Sequence, residues 1–271
     1  MHENKNAMLE SAMRAGYGAR GFVYLIIGVL AVFAAVNGGE AEGSTGALNY
    51  LSRQPFGVAL VGAVALGFLA FALWRFTDAA LDLENEGDHP RGAGSRMTKV
   101  FSGAAHLFLA ATAVTIMVRG AKAESNSAAN WSAAVMGAPF GRWAVALAGI
   151  IAIGVGLYFF FKSGARTYRD DLRETKMTQR LAPFVRFGLA AHGFVLLIIG
   201  GMVTYAGWTT NPNHAVGLGE ALALLETQPF GRTLLGLAGA GMVAFAVYCF
   251  VLAVYRVPLT ITRSDLPAQG S

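Results

Sequence analysis

The chain has 271 residues, 55% of them hydrophobic and only 14% charged, where an average soluble domain is about 25% charged. A mean hydropathy of +0.49 excludes a disordered chain and an ordinary soluble enzyme of this size. The 34 glycines lack a G-X-Y period, which excludes collagen, and the one cysteine, Cys249, excludes an intramolecular disulfide framework or an all-cysteine zinc site. A polytopic membrane protein remains.

Crossing a hydrocarbon core takes about 20 helical residues. Six runs free of Asp, Glu, Lys and Arg reach that length: Gly21 to Gly39, Gln54 to Trp74, Val100 to Val118, Trp143 to Phe161, Phe187 to Asn213 and Thr233 to Tyr255. Each is expected to be helical, because lipid leaves no partner for an unpaired backbone group. The first follows Arg14 and Arg20 as a signal peptide would. The same pattern recurs at Arg186 in mid-chain, so the first run is read as an uncleaved helix. Sixteen Lys and Arg flank the span ends that share a side with the termini, and five flank the opposite ends. The positive-inside rule therefore predicts cytoplasmic termini, and accounts for the net charge of +5 without a nucleic-acid partner. Anionic lipid is a candidate partner of the same basic flanks.

The chain repeats itself three times. Gln54-Pro55-Phe56-Gly57, Ala138-Pro139-Phe140-Gly141 and Gln228-Pro229-Phe230-Gly231 lead into the second, fourth and sixth spans. Arg20, His106 and His192 are spaced 86 and 86 residues apart, and Trp74, Tyr158 and Tyr248 stand 19 residues after the three prolines. Each copy reads as a two-helix hairpin whose return helix takes proline in its first turn, with phenylalanine at the membrane interface. Before two of the prolines, Leu48 and Leu51, and Leu218, Leu222 and Leu225, share a face, which predicts short helices on the outer membrane surface. Small residues at four-residue spacing, such as Ala59, Ala63 and Gly67, and the pairs Gly21/Gly28 and Gly193/Gly200 predict close helix packing. Tyr17, Tyr24, Trp74, Tyr158, Tyr248 and Tyr255 near one set of span ends, and Trp131, Trp143 and Trp208 near the other, read as interfacial anchors.

The fold class is an all-α membrane protein of six transmembrane helices in three tandem hairpins. A pseudo-three-fold axis is favoured over a row, because it gives every small-residue stripe an equivalent neighbour. The expected divisions are a tail 1–13, repeats 14–83, 97–168 and 183–256, a loop 84–96, a linker 169–182 and a tail 257–271.

The run Arg14-Ala15-Gly16-Tyr17-Gly18-Ala19-Arg20-Gly21-Phe22-Val23-Tyr24, with Gln54-Pro55-Phe56-Gly57, Gly67 and Trp74-Arg75, resembles the repeat signature of a bacterial membrane family known as domain of unknown function 1206. The resemblance covers nearly the whole chain as three copies. The middle copy departs most, with His106 and Leu107 where the first has Arg20 and Gly21, and Ala138 in place of the glutamine. It implies a multi-pass protein of the bacterial inner membrane and brings no activity with it.

Asp82 to Asp88 imitates the start of a calcium loop, but the closing ligand position holds Ala93 instead of Glu, so it is read as a solvated acidic loop. Tyr168 to Glu174 mixes charges densely and is read as an extension of the fourth span beyond the membrane. No G-x-S-x-G elbow, H-E-x-x-H or pair of intramembrane carboxylates occurs. No catalytic residue, metal or cofactor is therefore assigned. The candidate intramembrane polar site is Arg20, His106 and His192, with Asp78 as a possible neutraliser of Arg20. Three readings follow: a structural or partner-binding membrane component, with an unidentified protein partner; a small transporter or channel for an anion or lipid-like solute; or a b-type haem protein using the two histidines as axial ligands.

Overall fold

A computed structural model describes residues 2–83, 87, 90–120 and 127–257. These are almost entirely helical: α1 His2–Asn37, α2 Ser44–Ser52, α3 Gly57–Leu81, α4 Pro90–Arg119, α5 Ser127–Met136, α6 Gly141–Ala165, α7 Lys176–Thr209, α8 Leu218–Glu226 and α9 Gly231–Tyr255. Helices α1, α3, α4, α6, α7 and α9 are long and apolar enough to cross a membrane. The chain is thus a multi-pass membrane protein of three hairpins, α1/α3, α4/α6 and α7/α9, each carrying a short helix in its loop. Some helices outrun their uncharged stretch. Helix α1 begins at His2 and carries the Glu10–Arg14 pair (2.6 Å) one turn apart, a spacing that supports helix in polar surroundings.

The most extensive pairings join neighbouring repeats: α3 with α4, α6 with α7, and α9 back onto α1. That last pairing closes the hairpins on themselves instead of leaving a row. Glycines set the approach. A Cβ on Gly28 of α1 would lie 2.7 Å from the Gly239 carbonyl oxygen of α9, and a Cβ on Gly200 of α7 would lie 2.8 Å from that of Gly149 in α6. These two pairs stand at equivalent repeat positions. The hairpins' internal contacts repeat as well. Gly67 and Gly16 receive Ala19 and Phe71 in the first, and Gly241 and Gly188 receive Ala191 and Phe245 in the third. The middle hairpin has Ile151 and Ser102 at those positions, and α4 and α6 barely touch. The three-fold relation therefore holds for the outer repeats and breaks in the middle one.

Each return helix starts at the glycine of Pro-Phe-Gly and not at its proline. Phe56, Phe140 and Phe230 take φ of 61°, 62° and 61°. A side chain on Gly57, Gly141 or Gly231 would collide with the backbone at Ser52, Val135 or Glu226. The left-handed phenylalanine turns the chain within one residue, a strained conformation used identically three times.

Several expectations need correction. The loop helices number three and not two. Helices α2 and α8 do not simply lie on a membrane surface: Leu48, Leu51, Leu222 and Leu225 are buried in the bundle, because the loop end offers an apolar core to cover. Tyr17, Trp74 and Tyr248 are buried core residues and not lipid anchors, whereas Trp131, Trp143 and Trp208 are exposed. Tyr168 to Glu174 does not extend α6. That helix ends at Ala165 with Arg166 left-handed, a 3₁₀ turn spans Thr167–Arg169, and Leu172 forms an isolated antiparallel bridge with Arg256. The Arg173 N–H donates to the Tyr255 carbonyl (2.8 Å) and the Val257 N–H to that of Asp171 (3.0 Å). Of the acidic loop 82–88, residues 84–86 and 88 lie outside the described residues, and Asp82 pairs with Arg96 at 3.1 Å.

Candidate functional site

Two apolar clusters fill the bundle. One surrounds Ile27, Phe68, Leu222 and Met242 toward the loop end; the other surrounds Tyr17, Trp74, Leu189 and Cys249 toward the end carrying the termini. Arg20, His106 and His192, on α1, α4 and α7, meet in the layer between them. His106 and His192 are 7% and 3% exposed. His106 packs against Phe68 of the first cluster (5.6 Å) and Phe71 of the second (4.4 Å). His192 lies face to face with Phe245 at 3.9 Å, and edge-on to Tyr24 (5.1 Å) and Phe159 (5.2 Å). The Arg20 guanidinium stands over Phe245 (5.0 Å), Tyr24 (5.6 Å) and Phe71 (6.0 Å). The order across the layer is His106, Phe71, Arg20, Phe245, His192.

The charge on Arg20 has no carboxylate within ion-pair distance among the described residues, and its Nε has no hydrogen-bond partner. Aromatic faces give a desolvated cation about 2 kcal/mol or more each, against the several kcal/mol lost with its hydration, so the rings offset that cost without supplying a counter-charge. His106 Nδ1 lies 2.7 Å from the Ser102 carbonyl. A carbonyl only accepts, so Nδ1 carries the proton and Nε2 is the free acceptor of the neutral ring. His192 Nδ1 is buried without a partner. Arg20 Nε and His192 Nδ1 are thus two buried groups able to donate, sharing Tyr24 and Phe245 as neighbours.

Asp78 does not neutralise Arg20. It is fully buried on α3, accepts a hydrogen bond from Lys99 Nζ of α4 at 3.1 Å and lies 3.6 Å from Arg75. Arg20 lies instead beside Phe71, about 10 Å farther from the termini along α3. The Asp78 group belongs to a second polar cluster near the chain termini. There Arg75 and Arg256 both donate to the Tyr17 hydroxyl, and their guanidinium groups lie 4.3 and 5.0 Å from the Trp74 ring.

The aromatic lining of the layer escaped the sequence reading, although a signal existed. Phe71 and Phe245 stand sixteen residues after Pro55 and Pro229, while the middle copy has Val155 there. Tyr24, which reads in the sequence as an interfacial anchor, belongs to this lining. No group of three His, Cys, Asp or Glu able to hold a metal occurs among the described residues.

Comparison with known proteins supplies the family. Residues 15–82, 99–166 and 187–256 each match the family described as Domain of Unknown Function (DUF1206). The chain is also similar to the uncharacterized protein YxxB of Bacillus subtilis (strain 168), with 30% identity over 247 residues, covering 90% of either chain. No solved structure matches. With three successive segments matched over most of its length, the chain belongs to the DUF1206 family.

Proposed function

We propose that this is a non-enzymatic integral membrane protein whose intramembrane polar layer binds an anionic group. The observation that carries the reading is Arg20, a cation surrounded by aromatic rings with no carboxylate among the described residues paired to it. A carboxylate or phosphate oxygen would take hydrogen bonds from Arg20 Nε and His192 Nδ1 and offset the cost of burying the charge. The apolar clusters on either side of the layer favour a binding site over an aqueous channel. A haem between the histidines is disfavoured, because Arg20, Phe71 and Phe245 occupy the space between the imidazoles.

The test is thermal melting of the purified protein in non-ionic detergent, with inorganic phosphate or oleate added at constant ionic strength. Either anion should raise the melting temperature of the wild type and leave that of Arg20→Gln unmoved. A wild type indifferent to both would refute the reading.

The same proposal sets the chain in the bacterial inner membrane with cytoplasmic termini, supported by the sixteen-to-five distribution of basic residues. A reporter fused after Ser271 should be active only in the cytoplasm, and one inserted near Asn211 only outside it. Cytoplasmic activity at Asn211 would overturn this orientation.

A further inference from the structure

We infer that the polar layer is reached sideways from the bilayer, through the gap between α4 and α6, and that its occupant is a membrane amphiphile with a carboxylate or phosphate head. This rests on the anion-binding reading and adds a route and a ligand class to it.

Three independent departures of the middle repeat meet at one place. The glycines that seat α1 against α3 and α7 against α9 are replaced by Ile151 and Ser102, and α4 stands away from α6. Ala105 holds the repeat position of Ala19 and Ala191, both of which press on a glycine of the partner helix; Ala105 is exposed. Val155 stands where Phe71 and Phe245 cover Arg20 from two sides, so the middle repeat supplies no ring to cover the third.

The gap lies at the level of the site. His106 is on its α4 wall, and Phe159 on the α6 wall packs directly on His192. Arg20 and Tyr24 retain partial exposure although α1 is flanked by α3 and α9.

A free inorganic anion would have to cross apolar core to reach this layer from either end, since the two clusters lie above and below it. An amphiphile already in the bilayer has no such barrier. Its head can enter between α4 and α6 while its chain stays in lipid beside exposed apolar residues of the two walls, among them Phe108 and Leu147. Charge complementarity with Arg20 selects an anionic head over a zwitterionic one.

The experiment places the full chain in phosphatidylcholine nanodiscs and measures bound oleate and phosphatidate by native mass spectrometry, with inorganic phosphate as the soluble comparison. Ala105→Trp puts bulk in the gap at an exposed position that makes no packing contact with α6. It should weaken oleate and phosphatidate binding by about tenfold or more, because the tryptophan takes the place of their chains, while phosphate, which has no chain to seat and is slowed but not displaced, keeps its equilibrium melting shift. Ser102→Gly with Ile151→Gly restores the glycines of the outer hairpins and should weaken the amphiphiles in the same way by letting the helices close. It keeps the test decisive should the tryptophan variant fail to fold. Undiminished oleate and phosphatidate binding in the folded variants would overturn the lateral route. Stabilisation by phosphate with no binding of either amphiphile would overturn the ligand class while leaving the anion site standing. Loss of every anion effect in Arg20→Gln separates both outcomes from failure of the site itself.

Discussion

Two buried cations in this protein are handled in opposite ways. Lys99 is 5% exposed and meets the carboxylate of Asp78 at 3.1 Å, with Arg75 on the other side of the same carboxylate. Arg20, deeper in the bundle, has aromatic rings and two imidazoles but, among the described residues, no carboxylate. The first arrangement is closed around one carboxylate: removing Asp78 takes away the counter-charge that Lys99 and Arg75 share. The second is open: no carboxylate among the described residues stands against the guanidinium. A closed cluster holds helices together, here α3 to α4, while an open one costs the fold something and is retained where a ligand completes it.

The comparison is most easily broken at Asp78. Asp78→Asn removes the carboxylate that Lys99 and Arg75 share and should lower stability by about 3–5 kcal/mol, read as a fall in melting temperature and a loss of folded yield. An unaffected variant would mean that Lys99 is solvated and the cluster is not closed.

Tyr17→Phe removes the hydroxyl that accepts from both Arg75 and Arg256. About 1–3 kcal/mol should be lost, the cost of leaving charged donors without their acceptor, measured by the same melting experiment. Lys162→Met breaks the 2.6 Å pair with Asp171, whose carboxylate is 30% exposed. The expected cost is about 1 kcal/mol or less, and a larger loss would show that the bridge between Leu172 and Arg256 depends on this pair.

The smallest change in unliganded stability is expected from Arg20→Met, and it sharpens the comparison most. Deleting a cation held only by aromatic rings and the Tyr24 hydroxyl should leave the anion-free protein close to the wild type in stability, while removing the response to phosphate. A fall as large as that of Asp78→Asn would place Arg20 among the structural charges.

The six spans and the three copies were legible because both are periodic, one in hydrophobicity and one in motif spacing. The even spacing of 86 residues puts Arg20, His106 and His192 at one repeat position but does not bring them together; that takes the packing of α1, α4 and α7. What was not legible depended on contacts between helices. Asp78 sits on the same helical face as Arg75 but takes its nearer partner from α4, and no spacing within α3 points to Lys99. Tyr17 and Trp74 carry the composition of interfacial anchors, and only the packing of the linker and of α9 over that end makes them interior. Helix α5 has alanine, valine and methionine on its apolar face where α8 has leucines, so its pattern was too weak to register. The splayed middle hairpin was written in the sequence, at Ser102, Ile151 and Val155. It could be seen only once the outer hairpins showed what glycine and phenylalanine do at those positions.

The return of α9 onto α1 has a consequence for biogenesis. Phe245, which covers Arg20 most closely, is synthesised 225 residues after it. At about 5–20 residues per second, some 10–45 seconds pass between the two. Through that interval the arginine of the first helix resides in the membrane, or at the insertion machinery, with Tyr24 and Phe71 as the cover from its own hairpin. The polar layer is therefore completed only with the sixth span, and a chain interrupted before that span holds an intramembrane charge that quality-control proteases can recognise.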